Sequence, residues 1–499
     1  MTKSVLIFIV AYNHEKTIQE VLGRIPDDLD RYDTEVLIID DASGDNTFRQ
    51  SAAVAETDQF PFRLTVLKNP TNQGYGGNQK IGFFYAMENN FDVVALVHGD
   101  GQYAPEILPN LLKPAIEEKA DAVFGSRMME SGAALKGGMP LYKFVGNKIL
   151  TFFQNAILKA NLTEFHSGYR IYRVNSLRQI PFHLNTNDFH FDTEIIIQLI
   201  LAGKSIKELP IPTYYGDEIC NVDGLKYAKD VLRVTSLVPF QKLGVFYQRK
   251  YDLRPENQEG SLYQAKLDFD SSHTRALDLV SQNSKVLDVG CGPTVVTKAL
   301  KAKGCTITGI DAAPPPYKDD LDSFIQADLD ADKLPEDIGK YDHILLLDVI
   351  EHLKRPEDFV EQLHAKTQSG RDTELIVSTG NVAFFLVRMM LTLGSFNYGK
   401  RGILDLDHKR LFTFSTFRKL FENRGFEIMD VQGIPAPYAL AIGNNWLEKL
   451  LSGLNRILIQ LSKGLFSYQI LFRLKTRPSL AWLLAQAEKK AQEESRLDV

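Results

Sequence analysis

Cysteine is scarce in this 499-residue chain, which has only Cys220, Cys291 and Cys305. An odd number without regular spacing excludes a disulfide framework and fits a reducing compartment. Long apolar runs are missing as well. The longest, Val382–Gly394, is broken by Arg388 and is too short to span a bilayer. The start, MTKSVLIFIVAYN, lacks the small-residue cleavage site of a secretory signal. There is no excess of positive charge. A net charge of −6 argues against non-specific nucleic-acid binding. These absences predict a cytoplasmic protein, with peripheral contact at the inner face of a membrane left open. The rest is ordinary for a globular chain, at 44% hydrophobic and 24% charged residues.

Apolar, β-branched runs alternate with longer mixed segments of helical spacing. In the first half they are Val5–Val10, Val36–Ile39, Leu64–Leu67 and Val93–Val97. A second series starts at Val286 and continues through Thr306–Ile310, Ser323–Gln326, His343–Leu347, Leu375–Ser378, Phe426–Val431 and Tyr468–Leu474. Such alternation predicts βα units and parallel sheets. Between the two series, Tyr227–Leu243 has helical periodicity and leads into a polar stretch, Tyr247–Ser261. A domain boundary belongs there. The expected organisation is a first domain over 1–235, a linker helix and loop over 236–261, a second domain over 262–485 and a charged tail over 486–499.

Two strand ends carry chemistry. In the first half, AYNHE (Ala11–Glu15) closes one apolar run and DDASGDNT, with Asp40 and Asp41, closes the next. NQGYGGN (Asn72–Asn78) opens a helix, and HGDGQY (His98–Tyr103) ends a third run. GSR (Gly125–Arg127), HSGYR (His166–Arg170) and FHFDTE (Phe189–Glu194) follow. Carboxylates at the carboxyl edge of a parallel sheet suit a nucleotide and a hard cation, because Mg²⁺ takes one or two carboxylates plus phosphate oxygens. Asp41 is a candidate for the base edge or ribose hydroxyls, and Asp100 for the metal. Arg127 and Arg170 are natural bidentate partners for a phosphate. His98, His166 and His190, taken singly, read as structural.

In these ordered motifs the first half resembles the family 2 glycosyltransferases, in particular the dolichyl-phosphate mannose synthase-like branch. The resemblance covers roughly residues 3–235. It implies a GT-A (Rossmann-like nucleotide-diphospho-sugar transferase) domain that inverts the anomeric centre and uses Mg²⁺ or Mn²⁺. Ala11, Tyr12, Asn13, Glu15, Asp40, Asp41, Gly74, Asn78 and Asp100 would hold the nucleotide-sugar donor. In that family the metal loop usually carries two acids separated by one residue, and here His98 stands in the place of the first. A polyprenyl-phosphate acceptor is already an anion and requires no strong base. A glycan hydroxyl requires one, and Asp192 or Glu194 would supply it.

In the second half, VLDVGCGPT (Val286–Thr294) places Asp288, Gly290 and Gly292 in a glycine turn after a strand. Asp311 ends the next strand, at a spacing at which an acid binds ribose hydroxyls. ADL (Ala327–Leu329) and DVIEHL (Asp348–Leu353) follow. The order resembles class I S-adenosylmethionine-dependent methyltransferases, closest to the ubiquinone-biosynthesis O-methyltransferase-like group, and implies a second Rossmann-like domain. By that resemblance Asp288, Gly290, Gly292, Asp311, Asp328, Leu329 and Asp348 would bind S-adenosylmethionine, with Asp328 meeting the adenine amine. If Asp348, Glu351 and His352 open a helix, they share one face. That face could hold a divalent cation, or His352 could act as base. The plainer reading, that they shape the methionine pocket and cap the helix, is preferred. His408, in LDHKRLFT, is the rival base.

The stretch 444–464 reads as an inserted helix with a capping-box-like start at Asn445 and Glu448 and a stop at Gly464. Trp446, Leu447, Leu450, Leu451, Leu454, Ile457, Leu458 and Leu461 share one face. Packing of that face on the sheet is the expectation. The alternative is an interfacial helix with Lys449, Arg456 and Lys463 near headgroups. If this face and the apolar run at Phe384–Leu393 both turn outward, the substrate is a lipid. The whole chain therefore reads as a bifunctional enzyme of cell-envelope glycan or glycolipid synthesis, transferring a sugar and then a methyl group, with oxygen the expected methyl acceptor. The rival reading makes the first half a non-catalytic scaffold for the second.

Overall fold

The computed structural model describes residues 2–56, 60–212, 223–253, 267, 269–292, 295–315, 321–336, 338–367 and 373–477. Residues 254–261 of the expected linker and the 486–499 tail lie outside them. The chain divides into two compact units, Met1–Val238 with Arg249–Glu256 and Pro239–Gln248 with Asn257–Val499.

The first unit is built on strands β1 (Ser4–Ala11), β2 (Asp33–Asp40), β3 (Arg63–Lys68), β4 (Val93–His98), β5 (Ala122–Ser126), β6 (Arg170–Arg173) and β7 (Ile206–Pro210), in the order β3-β2-β1-β4-β6-β5-β7. β1 is a continuous apolar run because both of its faces are covered. Leu6, Phe8 and Val10 enter one buried layer, and Val5, Ile7 and Ile9 enter the other. The expected parallel sheet is in fact mixed. Arg170 pairs with Leu96, so β6 starts at the edge where β4 ends and runs antiparallel to β4 and β5.

The second unit carries β8 (Lys285–Val289), β9 (Thr306–Asp311), β10 (Ser323–Gln326), β11 (His343–Leu347), β12 (Glu374–Gly380), β13 (Phe426–Ile434) and β14 (Gln469–Thr476). Their order is β10-β9-β8-β11-β12-β14-β13. Only β14 runs against its neighbours. Residues of β11 again alternate between two cores, Ile344 and Leu346 in one and Leu345 and Leu347 in the other.

The inserted helix runs from Trp446 to Leu461, between β13 and β14. Asn445 caps it by accepting from the Glu448 N–H at 2.9 Å. It ends at Ser462 and not at Gly464, which belongs to a separate turn of helix, Lys463–Phe466. The expected packing of the apolar face on the sheet is overturned. Trp446 is 75% exposed and Leu461 76%, and Leu450, Leu454 and Ile457 are exposed between them. The buried side carries Asn455 and Ile459. Asn455 accepts from the Ala436 N–H at 3.0 Å and donates to the Phe466 carbonyl at 2.9 Å. A buried amide with both ends bonded anchors that side inward.

Packing in the first unit leaves no room above Phe8. A Cβ at Gly82, in the helix Tyr75–Glu88, would stand 2.1 Å from Phe8 Cε1, and Phe8 is fully buried. Gly82→Ala gains about 1 kcal/mol of helix propensity but overpacks the core by about 1–3 kcal/mol. The expected net result is a lower urea midpoint for the first unit's transition, and a rise in that midpoint would contradict this packing.

Candidate active sites

In the first unit the loops after β1 and β2 are stitched together. Asn13 takes a left-handed backbone, φ 57°. Its N–H donates to Ser43 Oγ at 2.9 Å and its Oδ1 accepts from the Gly44 N–H at 3.0 Å. The His14 N–H donates to Thr47 Oγ1 at 2.7 Å, and Glu15 Oε2 accepts from the Asn46 N–H at 3.0 Å. Ala11 is buried, and Tyr12 is left with its ring partly exposed. Asp40 is buried under Ser43 and Lys68.

Asp41 is also buried, and it turns toward protein donors. It accepts from Asn69 Nδ2 at 2.7 Å, the Gln73 N–H at 2.8 Å and the Gly74 N–H at 3.0 Å. It thereby sets the start of NQGYGGN. Gly74, at φ 79°, passes so close to the backbone that a Cβ there would stand 2.7 Å from the Asn187 carbonyl oxygen. Asn78 ties the same helix to β2 by donating to the Ile39 carbonyl at 2.9 Å.

Asp100 stands at the carboxyl end of β4, half-buried. Its hydrogen-bond partner among the described residues is the Gln102 N–H, at 3.0 Å. A carboxylate so lightly engaged fits a hard cation. His98, two residues earlier, is not turned to a ligand in this way. Its Nε2 is 3.2 Å from the Tyr75 hydroxyl, and its ring meets the Tyr103 ring edge-on at 5.1 Å. Burial lowers its pKa and keeps it neutral. The glycine of HSGYR makes room for it, since a Cβ at Gly168 would lie 2.5 Å from the imidazole.

Both arginines expected at a phosphate are spent inside the protein. Arg127 is buried against Glu164, with its Nε 3.0 Å from Glu164 Oε1, and also donates to the His166 carbonyl at 3.1 Å. Arg170 donates to the carbonyls of Ser167, Asp192 and Phe165 at 2.8, 3.0 and 2.9 Å. Its guanidinium lies 3.6 Å from Asp192 Oδ2. Asp192 also accepts from Tyr75 at 3.0 Å and from Gln79 at 3.3 Å. Glu194 is buried and accepts from Lys250 Nζ at 2.5 Å and from the Thr186 N–H at 2.7 Å. Neither acid is poised as a free base. Sequence reasoning missed Tyr75, Gln79 and Glu164. Tyr75 lay within a quoted motif, whereas nothing in the sequence ties Glu164 to Arg127.

In the second unit the glycine turn follows β8. Gly290 and Gly292 have φ of 73° and 47°. A Cβ at Gly290 would stand 2.6 Å from Val349, whereas none of the described atoms lies within 4 Å of a Cβ at Gly292. The Gly292 N–H donates to Asp311 Oδ2 at 2.9 Å. This open turn beside an acid at the end of β9 fits a nucleoside. Burial, with Asp311 nearby, raises the Asp288 pKa to about 7. Asp328 is exposed in the loop after β10 and accepts from the Asp330 N–H at 2.9 Å, with Leu329 half-buried beside it.

The expected helical face at Asp348, Glu351 and His352 does not form. Ile350–His352 is a single 3₁₀ turn, and Asp348 has φ 58°. Asp348 accepts from Ser378 Oγ at 2.8 Å and from Gln469 at 2.9 Å. Glu351 is buried, accepts from the Gly380 N–H at 3.3 Å and keeps Oε2 unbonded. Burial and the neighbouring Asp348 raise its pKa to about 8. Among the described residues, three metal-ligating side chains converge only at Asp188, His190 and Asp230, where Lys226 already sits 2.5 Å from Asp188.

His352 and His408, distant in sequence, come together. Their rings meet edge-on at 4.8 Å. His408 Nδ1 lies 3.0 Å from the Ile403 carbonyl, and His352 Nδ1 lies 3.3 Å from the Asp407 carbonyl. A carbonyl only accepts, so each Nδ1 carries a proton, and in the neutral tautomer the lone pair stands on Nε2. Burial lowers the His408 pKa, which holds that ring in the neutral form.

The family model of glycosyl transferase family 2 matches residues 6–181, and that of a methyltransferase domain matches residues 262–431. The chain is 31% identical over 208 residues to the undecaprenyl-phosphate mannosyltransferase of Micrococcus luteus, covering 42% of this chain and 82% of that one. It is 28% identical over 222 residues to the UDP-N-acetylglucosamine–dolichyl-phosphate N-acetylglucosaminyltransferase of Methanococcus voltae, covering 43% and 86%. It is 34% identical over 95 residues to the mitochondrial ubiquinone biosynthesis O-methyltransferase of Arabidopsis thaliana, covering 17% and 29%.

Two raised carboxyl pKa values set a pH dependence. Asp288 and Glu351 bind protons in the folded state that an unfolded chain would release near pH 4. Their contribution is complete below that pH and is lost as pH rises through about 7 and about 8. The urea midpoint of the second unit should therefore fall from pH 5 to pH 8, by on the order of a few kcal/mol in stability. In the Asp288→Asn, Glu351→Gln variant it should be nearly flat. An equally steep fall in that variant would refute the assignment.

Proposed function

Because the chain belongs to glycosyl transferase family 2 through its first unit and carries a methyltransferase domain in its second, we propose that it is bifunctional. Residues 1–235 transfer a sugar, with inversion, from a nucleotide-sugar to a polyprenyl phosphate. Residues 262–485 transfer a methyl group from S-adenosylmethionine to oxygen, and 236–261 join them. The pairing of the two activities places the protein in glycan or glycolipid synthesis at the cytoplasmic face of a membrane.

One observation carries the acceptor. The two acids that could deprotonate a hydroxyl are both engaged, Asp192 with Arg170 and Tyr75, Glu194 with Lys250. A phosphate acceptor is already an anion and needs no proton removed. Two of the relatives are named for polyprenyl-phosphate acceptors and for different sugars, which supports the acceptor and leaves the sugar open. Asp100 would hold Mg²⁺ or Mn²⁺, which neutralises the donor diphosphate when bound. Asp40 and Asp41 set the loops around that position.

In the second unit, Gly290, Gly292 and Asp311 would hold S-adenosylmethionine, whose sulfonium supplies an electrophilic methyl group. Oxygen methylation releases the proton of the attacked hydroxyl. His408 Nε2 is the acceptor we assign to that proton, with the His352 ring packed against it.

Asp100→Asn should lower sugar transfer by about 100-fold or more and leave S-adenosylmethionine binding, read by calorimetry, unchanged. With radiolabelled nucleotide-sugars, label should enter polyprenyl phosphate. Label appearing only in a glycan hydroxyl would reject the acceptor assignment. His408→Ala should lower methyl transfer by about 100-fold at unchanged S-adenosylmethionine affinity, with partial recovery at high pH. Unaltered methyl transfer in that variant would exclude His408 as the base.

A further inference from the structure

The second unit wears its apolar surface in two places. One is the helix Trp446–Leu461. The other is the stretch 388–410, where Met389, Leu391, Leu393 and Leu406 are exposed. Among the described residues of this unit, every exposed large apolar side chain except Met429 lies in these two stretches. They adjoin. Asn381, just ahead of the helix Phe385–Thr392, donates to the Gly464 and Ser467 carbonyls at 3.1 and 2.8 Å. The rings of Phe385 and Phe466 are 5.9 Å apart. The helix Tyr438–Ile442 packs on Trp446–Leu461 and contributes to the same small core as Leu386, Val387 and Met390.

Charge identifies what covers this surface. Residues 388–410 and 444–464 together hold eight Lys and Arg against three Asp and Glu, in a chain whose net charge is −6. Arg456 is paired with Asp270 and Arg410 with Glu357, and the balance of these stretches stays positive without them. A second copy docked on this face would set like charge against like. No described helix is long and apolar enough to cross a bilayer. An exposed apolar helix face with a terminal tryptophan and a cationic surround has the composition of a helix lying in a headgroup layer.

We propose that the helix Trp446–Leu461 and the stretch 388–410 form a docking face for an anionic lipid bilayer. The consequence for substrate rests on the methyl-transfer reading above. His408 lies in the docking stretch itself, so the hydroxyl it serves belongs to a molecule held in the bilayer by an apolar chain. The helix and loop then set the depth at which that hydroxyl is presented.

The test uses the full chain without any donor, so that its outcome is independent of transfer. The chain has two tryptophans, Trp446 and Trp482, and Trp482 lies outside the described residues. Trp482→Phe therefore leaves Trp446 as the sole reporter. Vesicles of phosphatidylglycerol and phosphatidylcholine should shift its emission to the blue, and brominated lipids should quench it. Phosphatidylcholine alone, or high salt, should weaken binding about tenfold. The variant Leu450→Glu, Leu454→Glu should lose vesicle binding about tenfold or more with S-adenosylmethionine affinity intact. Lys449→Glu, a milder change, should weaken binding to anionic vesicles alone. An emission that ignores vesicles overturns the proposal. So does a blue shift that grows with protein concentration in the absence of lipid, which would make the occupant a second copy. If docking holds but methyl label enters only water-soluble acceptors, the surface stands and the acceptor assignment falls.

Discussion

Val10 pairs with Ile39 on one side and with His98 on the other, while Ala11 pairs with Asp40. This register brings three loops to one level at the carboxyl edge of the sheet. It leaves β1 between β2 and β4, where the strand order reverses. The stitching of AYNHE to DASGDNT, the capping of NQGYGGN by Asp41 and the standing of Asp100 all depend on it. A slip of one residue would exchange the two apolar sets of β1 between the layers and take Ala11 out of register with Asp40. The second unit repeats the device with β8 between β9 and β11, where Asp288 pairs with Gly309 and with Leu345.

Much of this was legible because strands buried on both faces must be apolar throughout. The cores of β1, β2, β4, β11 and β12 announce themselves as apolar runs, whereas β10 and β13 are interrupted by polar residues and only partly buried. The shorter β5, β6 and β7 do not announce themselves, and β6, Arg170–Arg173, begins and ends in arginine. Motif order identified the two edges and put Asp100 and Asp311 at strand ends, as the structure has them. It did not reveal partners. Whether Arg170 meets a ligand or Asp192 depends on a helix that arrives later in the chain, and a sequence read by type alone favours the ligand.

The inserted helix shows the same limit in another form. Periodicity defines a face but not the direction it looks. Eight apolar positions against one asparagine point to the apolar face being buried. The structure buries the asparagine, because Asn455 satisfies an N–H and a carbonyl that the turn at Ala436 and the short helix at Phe466 would otherwise leave open. An apolar side chain at 455 would strand both groups. The orientation is thus decided by two backbone groups elsewhere in the fold, which no helical wheel contains.

The two units differ in how most of their buried charges near the candidate sites are partnered. In the first, Arg127 is paired with Glu164, Arg170 with Asp192 and Lys250 with Glu194. Paired charges hold side chains in a fixed geometry, which suits a site that positions reactants. The transfer to a phosphate proposed above would ask for nothing more. In the second, Asp288 and Glu351 are buried without a cation, and their pKa values rise to about 7 and about 8. In the same unit the His352 and His408 rings pack edge-on, and burial lowers the His408 pKa. Groups left to titrate near neutrality can take up a proton where paired ions cannot. The hydroxyl methylation proposed above would liberate one proton per turnover, and it falls to the unit in which Asp288 and Glu351 are buried without a cation.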